Sequence, residues 1–174
     1  DFDLSLAART DLKQEKTRSL DIARLGPILT GEDSGPAVHG IMVWGINPAV
    51  VLNDSAQVRR GLEREDLFTV VLEHFMTDTA RCADIVLPAT TFLEHDDLYT
   101  GGGHSFLQMG PRAIEPLAEA RANHDVICGL AKRLGAEHPG FEMTVWQIID
   151  ATLEASGWPG ADTLVAEKGH DCRP

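Results

Sequence analysis

The sequence predicts an α/β fold of three layers, in which a mostly parallel sheet carries helices on both faces. Three short apolar runs, residues 41–44, 67–73 and 84–88, are each bounded by glycine, proline or charged residues. A helical pattern separates each run from the next, at the spacing of strand–helix–strand units. Because the runs are continuously apolar, we expect strands that are buried on both faces. Right-handed crossovers would bring their carboxyl ends to one edge of the sheet.

Polar residues suited to helix capping precede each helical pattern. In chain order these expected caps are Ser19, Asp54 or Ser55, Thr77 or Asp78, Asn123 and Thr144. Glycines follow the last two helices, at Gly135 and Gly157. Residues 1–18 are polar and are expected to be a flexible N-terminal segment, and residues 158–174 show no strong period.

The composition limits the classes of function. With 174 residues, of which 43% are hydrophobic, the chain can bury the core of one domain, or of two at most. The net charge of −12 argues against nucleic acid or an anionic membrane as a partner. No apolar run approaches the roughly 20 residues of a transmembrane helix. The three cysteines form no C-x-x-C pair, so we expect no iron–sulfur or structural zinc site within the chain, and they do not decide between cytoplasm and periplasm.

Polar residues also stand where the predicted strands end, which is where open parallel sheets bind ligands. Gly45 and Asn47 follow the first strand, and Glu73 ends the second. Glycine permits close approach of a ligand to the backbone, and the Asn47 amide offers two donors and an acceptor. A carboxylate at Glu73 suits the paired N–H donors of guanine, or a ribose diol. A turn at Asn47 and a solvated strand end at Glu73 are the alternatives. No Walker loop and no G-x-G-x-x-G follows a strand, which excludes ATP or NAD binding by those motifs.

Residues 90–105 read as a charged, glycine-rich loop that leaves the third strand. It contains His95, Asp96, Asp97 and His104, whose spacing for a metal site is common by chance, so no metal ligand is assigned. No capped helix clearly follows its three glycines, which argues against a phosphate-binding loop.

Three segments in fixed order carry a family resemblance: MVWGINPAV, FMTDTARCADIVLPATTFLEHDDLYT and EARANHDVICGLAKRLG. Together they resemble the molybdopterin oxidoreductases of the dimethyl sulfoxide reductase type, a group that includes formate dehydrogenases and nitrate reductases. The resemblance is strongest over residues 19–135. It implies a partial nucleotide-binding α/β domain of a larger enzyme, followed in residues 136–174 by a C-terminal helix and a tail leading toward a further domain.

The resemblance also implies a cofactor and its contacts. In this family two molybdopterin guanine dinucleotides hold molybdenum or tungsten. The implied cofactor-binding residues are Gly45, Asn47, Leu72, Glu73, His95 and Asn123. Asn47 matches a nucleotide-contacting loop, Leu72 and Glu73 match a strand end that meets the guanosine, and Asn123 matches a polar helix cap that reaches the cofactor. His95 matches a position near the pterin. The resemblance also implies that the stretch after Glu94 packs near the metal-bearing part of the enzyme, with the glycines 101–103 serving close packing under it. The family often has Asp in place of Glu73 and Gly in place of Asp97.

The resemblance further implies that the chain is an internal fragment whose first partner is the rest of its own polypeptide. A 4Fe-4S cluster, the metal ligand and the substrate contacts would belong to other parts, so no catalytic residue is assigned here and the chain alone should be inactive. The alternative is a non-catalytic scaffold such as the large iron–sulfur subunit of respiratory complex I. The polar residues at Asn47, Glu73 and Asn123 favour the cofactor-binding version.

Overall fold

A computed structural model describes residues 18–173, so the expected flexible segment 1–18 lies, except for Arg18, outside the described residues. Three strands, β1 (Gly40–Trp44), β2 (Phe68–Glu73) and β3 (Ile85–Pro88), form one sheet in the order β1-β2-β3. Both pairings are parallel. The predicted parallel α/β sheet is therefore confirmed, and its three carboxyl ends share one edge.

Seven α-helices, two short 3-10 helices (Ile22–Arg24 and Pro139–Phe141) and a second, antiparallel sheet complete the described part of the chain. The helices are α1 (Leu25–Leu29), α2 (Pro48–Val51), α3 (Ser55–Leu62), α4 (Asp78–Arg81), α5 (Asn123–Leu134), α6 (Val145–Ala155) and α7 (Ala161–Glu167). The strands of the second sheet are β4 (Asp97–Thr100), β5 (Phe106–Gly110) and β6 (His170–Asp171). Among the described residues no helix is long and apolar enough to cross a membrane.

Three of the expected caps form as predicted. Asp54 accepts a hydrogen bond from the backbone N–H of Gln57 at 3.0 Å, and Thr77 caps α4 in the same way. Thr144 begins α6 in a reciprocal capping box with Gln147. These side chains satisfy backbone donors that the first turn of a helix leaves without partners.

Two expected caps are wrong. The first helical turn begins after Asp21, whose carboxylate accepts from the backbone N–H of Ala23, and not at Ser19. Asn123 is the first residue of α5 and makes no capping bond, while the extended backbone of Ala122 occupies the cap position. The side-chain amide of Asn123 therefore does not cap the helix.

The two faces of the parallel sheet are covered unequally. Helices α1 to α4 pack on the face that carries Val43 and Val71, and both side chains are buried there. On the opposite face Trp44 and Phe68 are each 53% exposed. The expected burial on both faces is thus wrong for this second face, because α5 covers it only in part and leaves a trough of about 650 Å³.

The second sheet joins the segment after β3 to the end of the chain. Leu107 and Met109 on β5 pack with Ile149 and Leu153 of α6 and with Leu164 of α7 in a separate core. The predicted loop over residues 90–105 is wrong from residue 97 onward, since a β-hairpin starts there. The glycines 101–103 lie in its turn, and a side chain at the second or third would meet no atom within 4 Å. Close packing therefore does not explain those two.

Candidate functional site

The carboxyl ends of β1 and β2 and the start of α5 enclose a cavity of about 360 Å³. Such a volume is within the range of about 300–1,000 Å³ that small-molecule sites occupy. Five of the six residues expected to bind a cofactor line it: Gly45, Asn47, Leu72, Glu73 and Asn123. Residues far apart in the sequence meet here because parallel strands bring their carboxyl ends together.

Gly45 and Asn47 form the end of the cavity beside β1. Gly45 has φ +68°, a backbone conformation that side chains disfavour, and a Cβ built there would meet no atom within 4 Å. The Asn47 Oδ1 atom accepts from the Thr79 hydroxyl at 2.6 Å and from the Thr79 backbone N–H at 3.3 Å. Because a backbone N–H can only donate, this contact identifies the oxygen of the amide. The Nδ2 group has no partner within residues 18–173 and is available to a ligand.

Thr79 fixes that orientation from inside the fold. It is fully buried, and its hydroxyl oxygen also accepts from the backbone N–H of Ala49 at 3.0 Å. One side chain on α4 thus connects the loop after β1 to the start of α2. The Oδ1 acceptor of Asn47, which the sequence analysis assigned to a ligand, bonds to Thr79 instead. Asn47 therefore presents only its Nδ2 donors to the site.

Glu73 supplies the acceptor. Its side chain is 16% exposed, and its Oε1 atom accepts from the backbone N–H of His74 at 2.8 Å. The Oε2 atom has no hydrogen-bond partner in the described part of the chain. A carboxylate oxygen in such a partly enclosed position favours a ligand that donates N–H or O–H groups.

His95 lies in the neighbouring cavity and not with the other five residues. That cavity measures about 650 Å³, shares His74 and Asn123 with the first one, and includes Phe75 and Phe92. The His95 Nδ1 atom is 2.8 Å from the hydroxyl oxygen of Thr90. Because the two cavities share His74 and Asn123 at the carboxyl edge of the sheet, we call them together the strand-end groove.

A buried carboxylate lies next to this groove and bonds to Thr91, which lines its larger cavity. Glu94 is 6% exposed, and its Oε2 atom accepts from both the backbone N–H and the hydroxyl of Thr91, at 2.7 and 2.8 Å. Its Oε1 atom accepts from the backbone N–H of Leu117 at 2.6 Å. The bonds from Thr91 and then from Leu117 lower the pKa of Glu94, because they stabilise the charged form. The carboxylate thereby joins the loop after β3 to the segment that leads into α5.

Sequence reasoning missed three residues that hold the site, namely His74, Thr79 and Thr90. Thr79 belongs to the quoted segment FMTDTA, but its partner Asn47 is 32 positions away. His74 follows Glu73 directly and reads as part of a charged strand end. No local pattern in the sequence signals either contact.

The fold and the site together define an α/β protein with a candidate ligand groove at the carboxyl edge of a parallel sheet. The chain belongs to the molybdopterin oxidoreductase family, whose model matches residues 29–133. The resemblance stated from the sequence is therefore confirmed.

The relatives agree with this membership and are much longer than the chain. A "Probable oxidoreductase YoaE" of Bacillus subtilis is 40% identical over 78% of this chain and 20% of its own length. The trimethylamine-N-oxide reductase of Haemophilus influenzae is 32% identical over 75% of the chain and 17% of its own length. Formate dehydrogenase H of Escherichia coli is 29% identical over 76% of the chain and 20% of its own length. The chain spans about one fifth of these relatives.

A solved structure has the same fold. Acetylene hydratase from Pelobacter acetylenicus superposes with a TM-score of 0.68 over 82% of this chain and 20% of that protein, at 23% sequence identity. This similarity supports the architecture of the chain and says nothing about its reaction.

Proposed function

We propose that the chain is part of a molybdenum or tungsten oxidoreductase and that its strand-end groove binds the guanosine end of a molybdopterin guanine dinucleotide. The family and the names of the oxidoreductase relatives support the class of enzyme. When bound, the cofactor would supply two-electron transfer at its metal. The contribution of this chain would be to bind and orient the nucleotide, and the chain alone would be inactive.

The observation that carries the proposal is the pairing of one free acceptor and one free donor in the 360 Å³ cavity. Guanine presents N–H donors at N1 and N2 and acceptors at O6 and N7. The free Oε2 atom of Glu73 suits the donors, and the free Nδ2 group of Asn47 suits an acceptor of the base or of its ribose. Adenine has an acceptor at N1, which would leave the Glu73 charge without a partner.

The remaining expected contacts extend the same proposal. Leu72 would act through its backbone or by packing. Gly45 has no side chain, and the open space beside its Cα atom would admit the nucleotide. Asn123 lines both cavities at the start of α5. His95 would face the next part of the cofactor, toward the pterin.

The substitution Glu73→Gln in the full-length protein tests the guanosine contact. A charged hydrogen bond contributes on the order of 1.5–3 kcal/mol, so its loss lowers affinity roughly ten- to a hundredfold. We expect less guanine nucleotide per mole of purified protein, measured by chromatography after denaturation, in a variant that still unfolds in one cooperative thermal transition. The same change at Glu154, which is exposed on α6, is the matched control.

Two outcomes would contradict the proposal. The Glu73→Gln protein could carry as much guanine nucleotide as the Glu154→Gln control, in which case Glu73 is a solvated strand end. The unmodified protein could carry none, which would favour the alternative of a scaffold without molybdenum.

A further inference from the structure

His74 occupies the centre of the strand-end groove. It lines the two cavities described above and a third of about 330 Å³ beyond them, and its side chain is 45% exposed. It is not among the residues that the family resemblance implies. Its ring makes one hydrogen bond to a distant part of the chain, at Thr90 in the loop after β3.

The hydrogen bond of His74 identifies the protonated ring nitrogen. The Nε2 atom is 2.8 Å from the backbone carbonyl oxygen of Thr90. Because a carbonyl oxygen can only accept, Nε2 carries the proton, and it does so in both the neutral and the charged ring. The Nδ1 atom is 3.9 Å from Oε1 of Glu73, which is too far for a hydrogen bond.

Thr90 transmits this contact to the rest of the groove. It is 3% exposed, its hydroxyl is 2.8 Å from His95 Nδ1, and its backbone N–H donates to the carbonyl of Arg121 at 3.2 Å. Arg121 lies two positions before Asn123 at the start of α5. The imidazole of His74 therefore adds a side-chain link from the end of β2 to the loop after β3, beside the backbone bond from the N–H of Ala89 to the carbonyl of Glu73 at 3.1 Å. Through Thr90 this link extends to His95 and to the approach of α5.

We propose that His74 is a positioning residue of the strand-end groove. Its Nε2–H bond to Thr90 holds the loop after β3 against β2, and this fixes His95 and the start of α5 relative to Glu73. The inference rests on the proposed function, since it names the residue that keeps the groove in its binding shape.

The amides of glutamine and asparagine separate the roles of the two ring nitrogens. A glutamine amide reaches about as far as Nε2 and can still donate to Thr90, whereas asparagine reaches only about as far as Nδ1. We expect His74→Gln to retain guanine nucleotide as the unmodified full-length protein does. His74→Asn and His74→Ser should release it about two- to tenfold faster, which corresponds to one lost neutral hydrogen bond.

The assay follows the guanine nucleotide that stays with the purified holoenzyme over time, by gel filtration and nucleotide analysis. His39 is the matched control, because it stands before β1 at the opposite edge of the sheet, near Asp66. Its change to Asn should leave release unchanged. Melting temperatures check that each variant is folded. Because the His74 side chain is only half buried, both Asn and Ser should be tolerated at this position.

The outcomes distinguish this inference from the proposed function. If Glu73→Gln loses guanine nucleotide while His74→Asn and His74→Ser release it at the control rate, the role of His74 is refuted and the guanosine groove stands. If His74→Gln releases it as fast as His74→Asn, the bond to Thr90 is not what positions the groove. Full retention in Glu73→Gln refutes the proposed function itself.

Discussion

The substitution Thr79→Val should weaken both the fold and the candidate site through one hydroxyl group. That hydroxyl donates to Oδ1 of Asn47 at 2.6 Å and accepts from the backbone N–H of Ala49 at 3.0 Å. Valine has nearly the same shape but neither function. The buried N–H of Ala49 would lose its partner, and Asn47 would keep only the longer bond of 3.3 Å to the backbone of residue 79.

The expected size of the effect follows from these two losses. A buried donor without a partner costs about 1–3 kcal/mol, and the lost bond to Asn47 adds about 0.5–1.5 kcal/mol. The additional apolar methyl group of valine returns about 0.8 kcal/mol. We therefore expect the free energy of unfolding to fall by about 2 kcal/mol. In the full-length protein the amide of Asn47 would also lose its fixed orientation, and the guanine content should fall.

Urea unfolding followed by tryptophan fluorescence measures the stability change. With a slope of about 2 kcal/mol per molar urea, the midpoint should move down by about 1 M. Thr152→Val is the control, because this exposed hydroxyl bonds only to the carbonyl of Ile148 within its own helix. The control should change stability by less than about 0.5 kcal/mol. Equal midpoints for the two variants would refute the assigned role of Thr79.

Two further predictions concern stability. Hydrogen bonds lower the pKa of Glu94 below its usual 4.5. Its contribution to the free energy of unfolding is therefore complete above pH 4.5 and is lost as the pH falls through the lowered pKa. Urea midpoints between pH 7 and pH 3 should therefore fall less steeply in Glu94→Gln than in Glu167→Gln, an exposed control, and parallel curves would count against the prediction. Gly135→Ala should destabilise the protein by about 1 kcal/mol, because φ is +66° at this residue, where α5 ends. Gly129→Ala, within the same helix, should stabilise it by up to about 1 kcal/mol. Melting temperatures that shift in the same direction for both variants would contradict this prediction.

The parallel sheet could be predicted because its signals are local. Continuous apolar runs and capping residues such as Asp54 and Thr77 each act within one turn or strand. The hairpin β4–β5 was missed because charged residues and three glycines dominate its sequence, while few apolar residues, among them Leu107 and Met109, face the core. The apolar residues of α5 recur at helical spacing, yet Leu134 is 74% exposed. A pattern identifies an apolar surface but not what covers it.

The candidate site could be predicted only as far as strand ends determine it. Asn47 and Glu73 follow directly from the rule that ligands bind at the carboxyl edge of a parallel sheet. Which atom of each side chain remains free depends on partners elsewhere, such as Thr79 for Asn47. The supporting residues His74 and Thr90 act across 16 positions of sequence, and their pairing becomes visible only when β2 and β3 are placed side by side.

Three polar side chains of the groove share one arrangement that explains how it can be both stable and ready to bind. Within residues 18–173, Asn47 uses its oxygen inside the protein and leaves its N–H donors free, while Glu73 uses Oε1 and leaves Oε2 free. His74 uses Nε2 and leaves Nδ1 without a hydrogen bond among the described residues. Since one atom of each group is already fixed by the fold, binding a ligand through the other atom immobilises little that was mobile before. The loss of side-chain entropy that opposes binding is therefore small, because folding has already ordered these side chains. Any change that releases the inner atom, as Thr79→Val does for Asn47, should weaken binding without touching the ligand.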